Sequence, residues 1–197
     1  MEKQLIISVG RECGSGGHAI AQLIANKYGL PMYDRNLLNE MAAAKGLDVH
    51  ELSKYDEVKK KRFFNRQVKD MHSSIEYNVA QLQFNYLKEK AANGESFVIV
   101  GRCAETILKD NPALISIFVL GDREAKIERL MRLRNKNYKD AAAKCDEIDK
   151  ARKVYHNSHC KGKWGDSRNY DISINSTALG LERTAEFLIQ YIDERRK

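Results

Sequence analysis

Nowhere in its 197 residues does this chain hold the roughly 20 consecutive apolar residues needed to span a bilayer. At the start, Met1-Glu2-Lys3-Gln4 runs straight into Leu5-Ile6-Ile7-Ser8-Val9, with no apolar leader and no small-residue cleavage site. These absences point to a soluble cytoplasmic chain with no membrane partner. The four cysteines, Cys13, Cys103, Cys145 and Cys160, include no C-x-x-C pair and no disulfide-scaffold spacing, which fits a reducing compartment. The one zinc set that can be assembled on paper is Cys145, His156, His159 and Cys160. It lacks paired-ligand spacing, so no residue is assigned to a metal. There is no internal repeat and no low-complexity tract. Nucleic-acid modules are missing too: no aromatic RNA-stacking strand, no zinc-finger spacing, no basic region leading into heptads.

What is present is an ordinary globular composition, 43% hydrophobic and 31% charged, at a length that suits one domain over 1–197. Net charge is +7, which favours anionic partners: nucleic acid, acidic membrane or phosphorylated small molecules. With the first two unsupported by motifs, small-molecule nucleotides are the expected partners. Nothing in the sequence sets an oligomeric state. The basic runs Lys59-Lys60-Lys61-Arg62 and Arg129, Arg132, Arg134, Lys136 read as faces of polar helices.

The strand-like runs are short, apolar and non-alternating, as in strands buried on both faces of a parallel sheet. They are Leu5–Val9, Met32–Asp34, Phe97–Val100, Ile115–Leu120 and Asp171–Asn175. Helical spacing separates them, from Ile20 to Ala25, from Ile127 to Met131, and from Leu179 to Ile192. The expected fold is α/β, a three-layer, doubly wound, parallel five-stranded sheet with the first strand central. Two stretches carry no strand signal: about 36–94, helical and ending at Asn93-Gly94, and about 123–165, two basic polar helices closing on Gly162-Lys163-Trp164-Gly165-Asp166. Helical insertions of this kind form covers over sites at the carboxyl ends of strands. Tyr77, Phe84 and Tyr86 in the first stretch read as helix-packing core rather than a base-stacking platform.

The chemistry-bearing segment is Gly14-Ser15-Gly16-Gly17, between the first strand and the helix that opens His18-Ala19-Ile20-Ala21. Glycines let backbone N–H groups converge on an anion, and a helix N-terminus adds partial positive charge. Phosphate binding is the expectation, through Arg11, Gly14, Ser15, Gly16, Gly17, His18 and Ala19. Two spellings compete. Gly14-x-Gly16-x-x-Ala19 with Asp34 downstream satisfies the dinucleotide fingerprint. In the alternative G-x-x-x-x-G-K-[ST] loop, Arg11 stands for the first glycine, Gly17 for the lysine and His18 for the Mg²⁺-holding hydroxyl residue.

The rest of the chain tips the balance. In order, it carries Gly10-Arg11-Glu12-x-Gly14-Ser15-Gly16-Gly17, Tyr33-Asp34-Arg35, Val98-Ile99-Val100-Gly101-Arg102, Asn111-Pro112, Asp149-x-x-Arg152 and Asn175-Ser176-Thr177-x-Leu179-Gly180-Leu181-Glu182. Together these resemble the cytidylate kinase-like family, a divergent branch of the P-loop nucleoside monophosphate kinases. The resemblance implies a P-loop fold with an acceptor-side insertion over about 36–94 and a lid over about 123–165. It implies transfer of the ATP γ-phosphoryl to a nucleoside monophosphate such as CMP. By the same resemblance, residues 14–18 would cradle donor phosphates, and Asp34 would orient Mg²⁺ waters. Arg35, Arg102 and Asp149 would serve the acceptor side, with Asp149 also fixing an arginine. Arg129, Arg132 and Arg152 would close over the phosphates, and Ser176 and Thr177 would lie beside the donor base.

Each of these residues also has a plainer role open to it. Asp34 can cap a helix beside Asn36, Arg129 and Arg132 can be solvated helix face, and Asp149 can pair with Arg152. The chain departs from the family pattern at Gly17, His18 and Val100-Gly101-Arg102-Cys103, where a lysine, a hydroxyl and two carboxylates are replaced. ATP remains the expected cofactor, while Mg²⁺ has lost its usual protein ligands. Three readings therefore stand: an active kinase with a rewired donor site, a nucleotide-binding pseudokinase or sensor, and a dinucleotide-binding enzyme.

Overall fold

The computed structural model describes residues 3–34, 36–46 and 75–197. Arg35, the Lys59–Arg62 run, the stretch 47–74 and the side chain of Tyr77 lie outside the described residues. Strand β1, Ile6–Arg11, is buried from Ile6 through Gly10, which explains why its sequence shows no alternation. It pairs in parallel with β3 (Phe97–Val100) on one side and β4 (Leu114–Leu120) on the other. Outside these lie β2 (Met32–Tyr33), against β3, and β5 (Ile172–Asn175), against β4, both also parallel. The order is β2-β3-β1-β4-β5, so the first strand is central, as its burial requires.

This order separates the two readings of the glycine loop. A dinucleotide fold of the ordinary kind places its second strand directly beside the first. Here β3 lies between them, so the dinucleotide-binding enzyme is set aside.

Helices cover both faces. On one, α1 (Gly17–Tyr28) and α7, Leu181–Arg195 in chain order, turn Ile20, Ala21, Ile24, Ala185, Leu188 and Ile192 onto Ile7, Val9, Ile117 and Val119. These helix positions recur every three or four residues, one face of the helix. On the other, α2 (Leu37–Lys45) and α3 (Ile75–Ala92) pack Leu37, Met41, Val79 and Leu87 against Ile6, Phe97 and Ile99. Phe84 and Tyr86 are buried, as the packing reading expects. The short helix α4 (Ala104–Ile107) follows β3. The expected basic helices of the second insertion are α5 (Arg123–Arg134) and α6 (Tyr138–His159). They pack on each other, and Trp164 beyond them lies edge-on to Phe118 with ring centroids 5.4 Å apart. No described helix is long and apolar enough to cross a membrane.

Leu188 is fully buried between α7 and the sheet. Leu188→Ala should lower unfolding stability by about 2–5 kcal/mol. Urea titration reads this as a lower midpoint with an unchanged slope.

Candidate functional site

The residues singled out from the sequence gather where a doubly wound sheet collects them, at the carboxyl ends of its strands. After Arg11 the chain turns through Gly14 (φ 77°) and Gly16 (φ 79°), the left-handed region that side-chain-bearing residues avoid. Gly16 is also the N-cap of α1, whose own ladder begins with Ile20 N–H donating to the Gly16 carbonyl (3.0 Å). The N–H groups of Gly17, His18 and Ala19 precede that bond and give the helix start its positive character. Ser15 braces the turn from within: its hydroxyl donates to the Glu12 carbonyl (2.9 Å) and accepts from Gly17 N–H (3.3 Å).

The turn is held from outside by α6. Asp149 Oδ1 accepts from Cys13 N–H at 2.6 Å, and Arg152 Nη1 donates to the Arg11 carbonyl at 3.1 Å. Asp149 and Arg152 also lie 3.6 Å apart, so the pairing expected from their spacing is present alongside the clamp. Burial raises the Asp149 carboxyl above its ordinary range, opposed by the Cys13 N–H. Beneath the clamp, Cys13 packs with Ile127, Leu130, Ala141 and Cys145.

A third support was not signalled by any motif. Glu12 Oε2 accepts from Lys126 Nζ (2.7 Å) and from Gly121 N–H (3.3 Å), tying the loop to α5 and to the end of β4. Glu12 was visible only as the acid of Gly-Arg-Glu, and Lys126 only as one more charge on a polar helix.

Arg129 and Arg132 face the loop across a cavity of about 180 Å³ whose walls include Gly14, Ser15, Ser176, Thr177 and Leu181. Arg129 is partly buried, and Arg132 is exposed on the cavity side. Ser176 donates to the Ser15 carbonyl (2.6 Å), and Thr177 Oγ1 accepts from Asp122 N–H (3.0 Å). Ser176 thereby fastens the β5–α7 turn to the loop.

On the opposite side, His18 Nε2 lies 2.9 Å from Asp34 Oδ2. Asp34 Oδ1 also accepts from Asn36 N–H (3.1 Å) and Asn36 Oδ1 accepts from Asp34 N–H (2.9 Å), a local turn that precedes α2; the N-cap of that helix is Asn36, not Asp34. The Arg11 side chain runs from the start of α1 to the end of β3. A Cβ on Gly17 would lie 2.5 Å from Arg11 Cβ, and one on Gly101 would meet Arg11 Nη1. Gly101, Arg102 (φ 58°) and Cys103 (φ 57°) are three left-handed residues in succession, two of them bearing side chains. Backbone held in this way is costly and concentrates at functional sites.

These placements bring together Arg11, Gly14 to Ala19, Arg129, Arg132, Asp149, Arg152, Ser176 and Thr177 on one side of the carboxyl edge. Asp34 joins through His18, and Arg102 sits at the next strand end. A match to the cytidylate kinase-like family spans residues 6–178. The chain belongs to that family. It is 23% identical over 194 residues to the cytidylate kinase of Archaeoglobus fulgidus, covering 96% of each chain. It is 25% identical over 196 residues to that of Methanocaldococcus jannaschii, covering 98% of this chain and 100% of the relative. Among solved structures, an uncharacterised protein from Eubacterium ventriosum superposes with a TM-score of 0.77 at 40% identity, over 96% of this chain and 99% of its own. Shikimate kinase from Bacteroides thetaiotaomicron, at 16% identity and a TM-score of 0.55, covers 96% of this chain and 97% of its own and shares the kinase fold.

Within this family member the paper zinc set does not assemble as written. Cys145 packs against Cys13, and His159 stacks between Phe84 and Tyr155, with centroids 5.6 and 4.7 Å away. His156 and Cys160 are instead joined by Cys103, brought in from the end of β3. A residue 53 positions upstream of its partner leaves no local spacing to read.

Two outcomes follow. Gly16→Ala should cost about 1–2 kcal/mol for its left-handed backbone. It should cost more because the new Cβ meets Leu181 Cδ2. The added Leu181→Ala change should recover only the second part in denaturation. Burial also pushes the Cys13 thiol up to about 12. Cys13 should therefore resist iodoacetamide at pH 8 in the native protein and react once unfolded, read by peptide mass mapping.

Proposed function

We propose that the protein transfers the γ-phosphoryl of ATP to a pyrimidine nucleoside monophosphate, CMP being the first candidate. The observation that carries this reading is the loop 14–17, turned by two left-handed glycines onto the start of α1 and faced across a cavity by Arg129 and Arg132. The family relatives named as cytidylate kinases supply the acceptor class. In this reading 1–197 is one kinase-like domain, with 36–94 as the acceptor-side insertion and 123–165 as the lid.

Phosphoryl transfer asks mainly for positioning and for cations around the transferred group. The N–H groups of Gly14, Gly16, His18 and Ala19 would seat the donor phosphates, while those of Ser15 and Gly17 hold the turn through the Glu12 carbonyl and Ser15 Oγ. Arg129 and Arg132 would neutralise them from α5, and Ser176 and Thr177 would flank the donor base. Asp149 and Arg152 act through the loop backbone, keeping its N–H groups aimed. Arg102 and Arg35 would meet the acceptor. The position of the usual lysine is Gly17, and the space a Cβ would take there is filled by Arg11. Arg11 is therefore placed to supply part of the missing charge along the β1–β3 edge.

Mg²⁺ favours oxygen donors, keeps several waters and needs one or two carboxylates besides the phosphates. Asp34 fits that need through water, whereas His18 brings an imidazole in place of a hydroxyl. Bound with ATP, the ion would add charge neutralisation at the β- and γ-phosphates. Asp34 would hold its waters, and His18 would orient the Asp34 carboxylate.

The second reading, a nucleotide-binding pseudokinase, draws on the same crowding at Gly17, which leaves the loop without a lysine. One assay separates the two: ATP with CMP, and with other nucleoside monophosphates, on wild type and Arg102→Ala. An active kinase should lose about 10²–10³-fold in turnover on Arg102→Ala while keeping its ATP affinity within a few fold. Tight ATP binding with no wild-type turnover on any acceptor would establish the pseudokinase.

A further inference from the structure

Behind the Arg102 loop lies a cluster that the nucleotide reading does not use. The ligating atoms of Cys103, His156 and Cys160 all lie within 4.8 Å of one another. Cys103 and His156 are buried, and Cys160 is partly so. The three come from two places in the fold. His156 and Cys160 are four residues apart at the end of α6, a spacing that puts two side chains on one face. Cys160 is the C-cap of that helix, and its N–H donates to the His156 carbonyl at 2.9 Å. Cys103 arrives from the other side, as the last of the three left-handed residues after β3 and the N-cap of α4.

A second observation points the same way. Glu105 Oε1 lies 2.6 Å from His156 Nε2, with both side chains almost wholly buried, 3% and 5% exposed. A buried carboxylate receiving one ring N–H of a histidine fixes the tautomer and leaves the other nitrogen with its lone pair. This is the arrangement found behind metal-bound imidazoles. In that tautomer Nδ1 is the ligating atom. Asn157 Oδ1, which accepts from Trp164 N–H at 2.9 Å, lies 3.4 Å from Nδ1; an acceptor facing a bare lone pair makes no hydrogen bond, and a bound ion would supply the missing positive charge there. Ala80, Phe84, Ile107 and Tyr155 pack about Cys103 and Cys160, and the Thr106 hydroxyl, which donates to Glu105 Oε1 at 3.2 Å, is a nearby polar group.

We propose that Cys103, His156 and Cys160 form a site for a borderline-soft divalent ion, zinc above all, with Glu105 as the carboxylate behind the histidine. Two thiolates and an imidazole suit zinc and exclude magnesium or calcium, which take oxygen ligands. Three protein ligands leave a fourth position for water. Binding releases the two thiol protons, so the ion and its ligands together are close to neutral in the low-dielectric pocket. The ion would pin the end of α6 to the residue that follows Arg102, and so fix the strained backbone there. This proposal stands apart from the kinase reading, since its ligands and its test involve no nucleotide.

The test begins with full-length protein, reduced and stripped by chelator, then titrated with Co²⁺ and with Zn²⁺. One equivalent of Co²⁺ should bring thiolate-to-cobalt charge-transfer absorption, which Zn²⁺ then abolishes. Zn²⁺ should also raise the melting temperature. Cys103→Ser and Cys160→Ser should lose both signals, while Cys145→Ser keeps them. Glu105→Gln should weaken binding by about 10–100-fold and keep the absorption band at saturation. If the cysteine variants do not fold, X-ray absorption on zinc-loaded wild type decides. Two sulfur ligands near about 2.3 Å support the site, and a shell of nitrogen and oxygen alone overturns it. No charge-transfer band in wild type overturns it, as does an equal band in Cys103→Ser and Cys160→Ser. So does protein that purifies with a Cys103–Cys160 disulfide and takes up no metal once reduced.

Discussion

A backbone segment that must offer its N–H groups to a ligand cannot satisfy them in its own secondary structure, so something else has to hold it in shape. In this chain that duty falls on Asp149 and Arg152 from α6 and on the loop's own Glu12, which is anchored outside it. Asp149 takes the Cys13 N–H, Arg152 takes the Arg11 carbonyl, and Glu12 reaches Lys126 and the Gly121 N–H. A hydrogen bond to a charged group contributes about 1.5–3 kcal/mol. Those contributions fall on the few residues whose direction matters most. The left-handed glycines make the turn possible, but the clamp selects it.

Much of this was legible in the sequence, because buried parallel strands and glycine turns write local signals. The non-alternating runs placed all five strands to within two residues, and Gly14–Gly17 marked the loop. Strand order is not written locally, and it is the place of β3 between β1 and β2 that parts this fold from the dinucleotide spelling. Asp149 and Arg152 were found through the family resemblance, yet their atoms meet the loop backbone, a contact no spacing encodes. Glu12 with Lys126 and Cys103 with His156 were illegible for the same reason. Partners separated by 114 and 53 positions are joined only by the packing of helices on the sheet.

The departures from the family pattern also fall into order when seen together. Gly17 has no room for a side chain because Arg11 Cβ fills the space beside it, and Gly101 yields its own side-chain space to the Arg11 guanidinium. Glycine in place of the lysine, Arg11 beside it and glycine at 101 are thus one steric arrangement. The substituted acid at Cys103 belongs to a different one, centred on His156 and Glu105. Local rules broken without a compensating partner would suggest decay of a site. Here Gly17, His18 and Cys103 each have a partner in contact, Arg11, Asp34 and His156 in turn.

The clamp has a mechanical meaning as well. α5 bears both arginines that face the cavity, and α5 and α6 together carry Lys126, Asp149 and Arg152, which grip the loop. In many enzymes a cover swings on a hinge while the seat beneath it stays rigid. In the kinase proposed above, the lid over 123–165 and the loop would share their fastenings. Lifting the helix pair would unhook the Cys13 amide and uncover the apolar contacts beneath it, so the loop would loosen as the lid rose. On that reading, access and affinity would be two faces of a single conformational equilibrium, and a nucleotide that steadied the loop would draw the helices down with it.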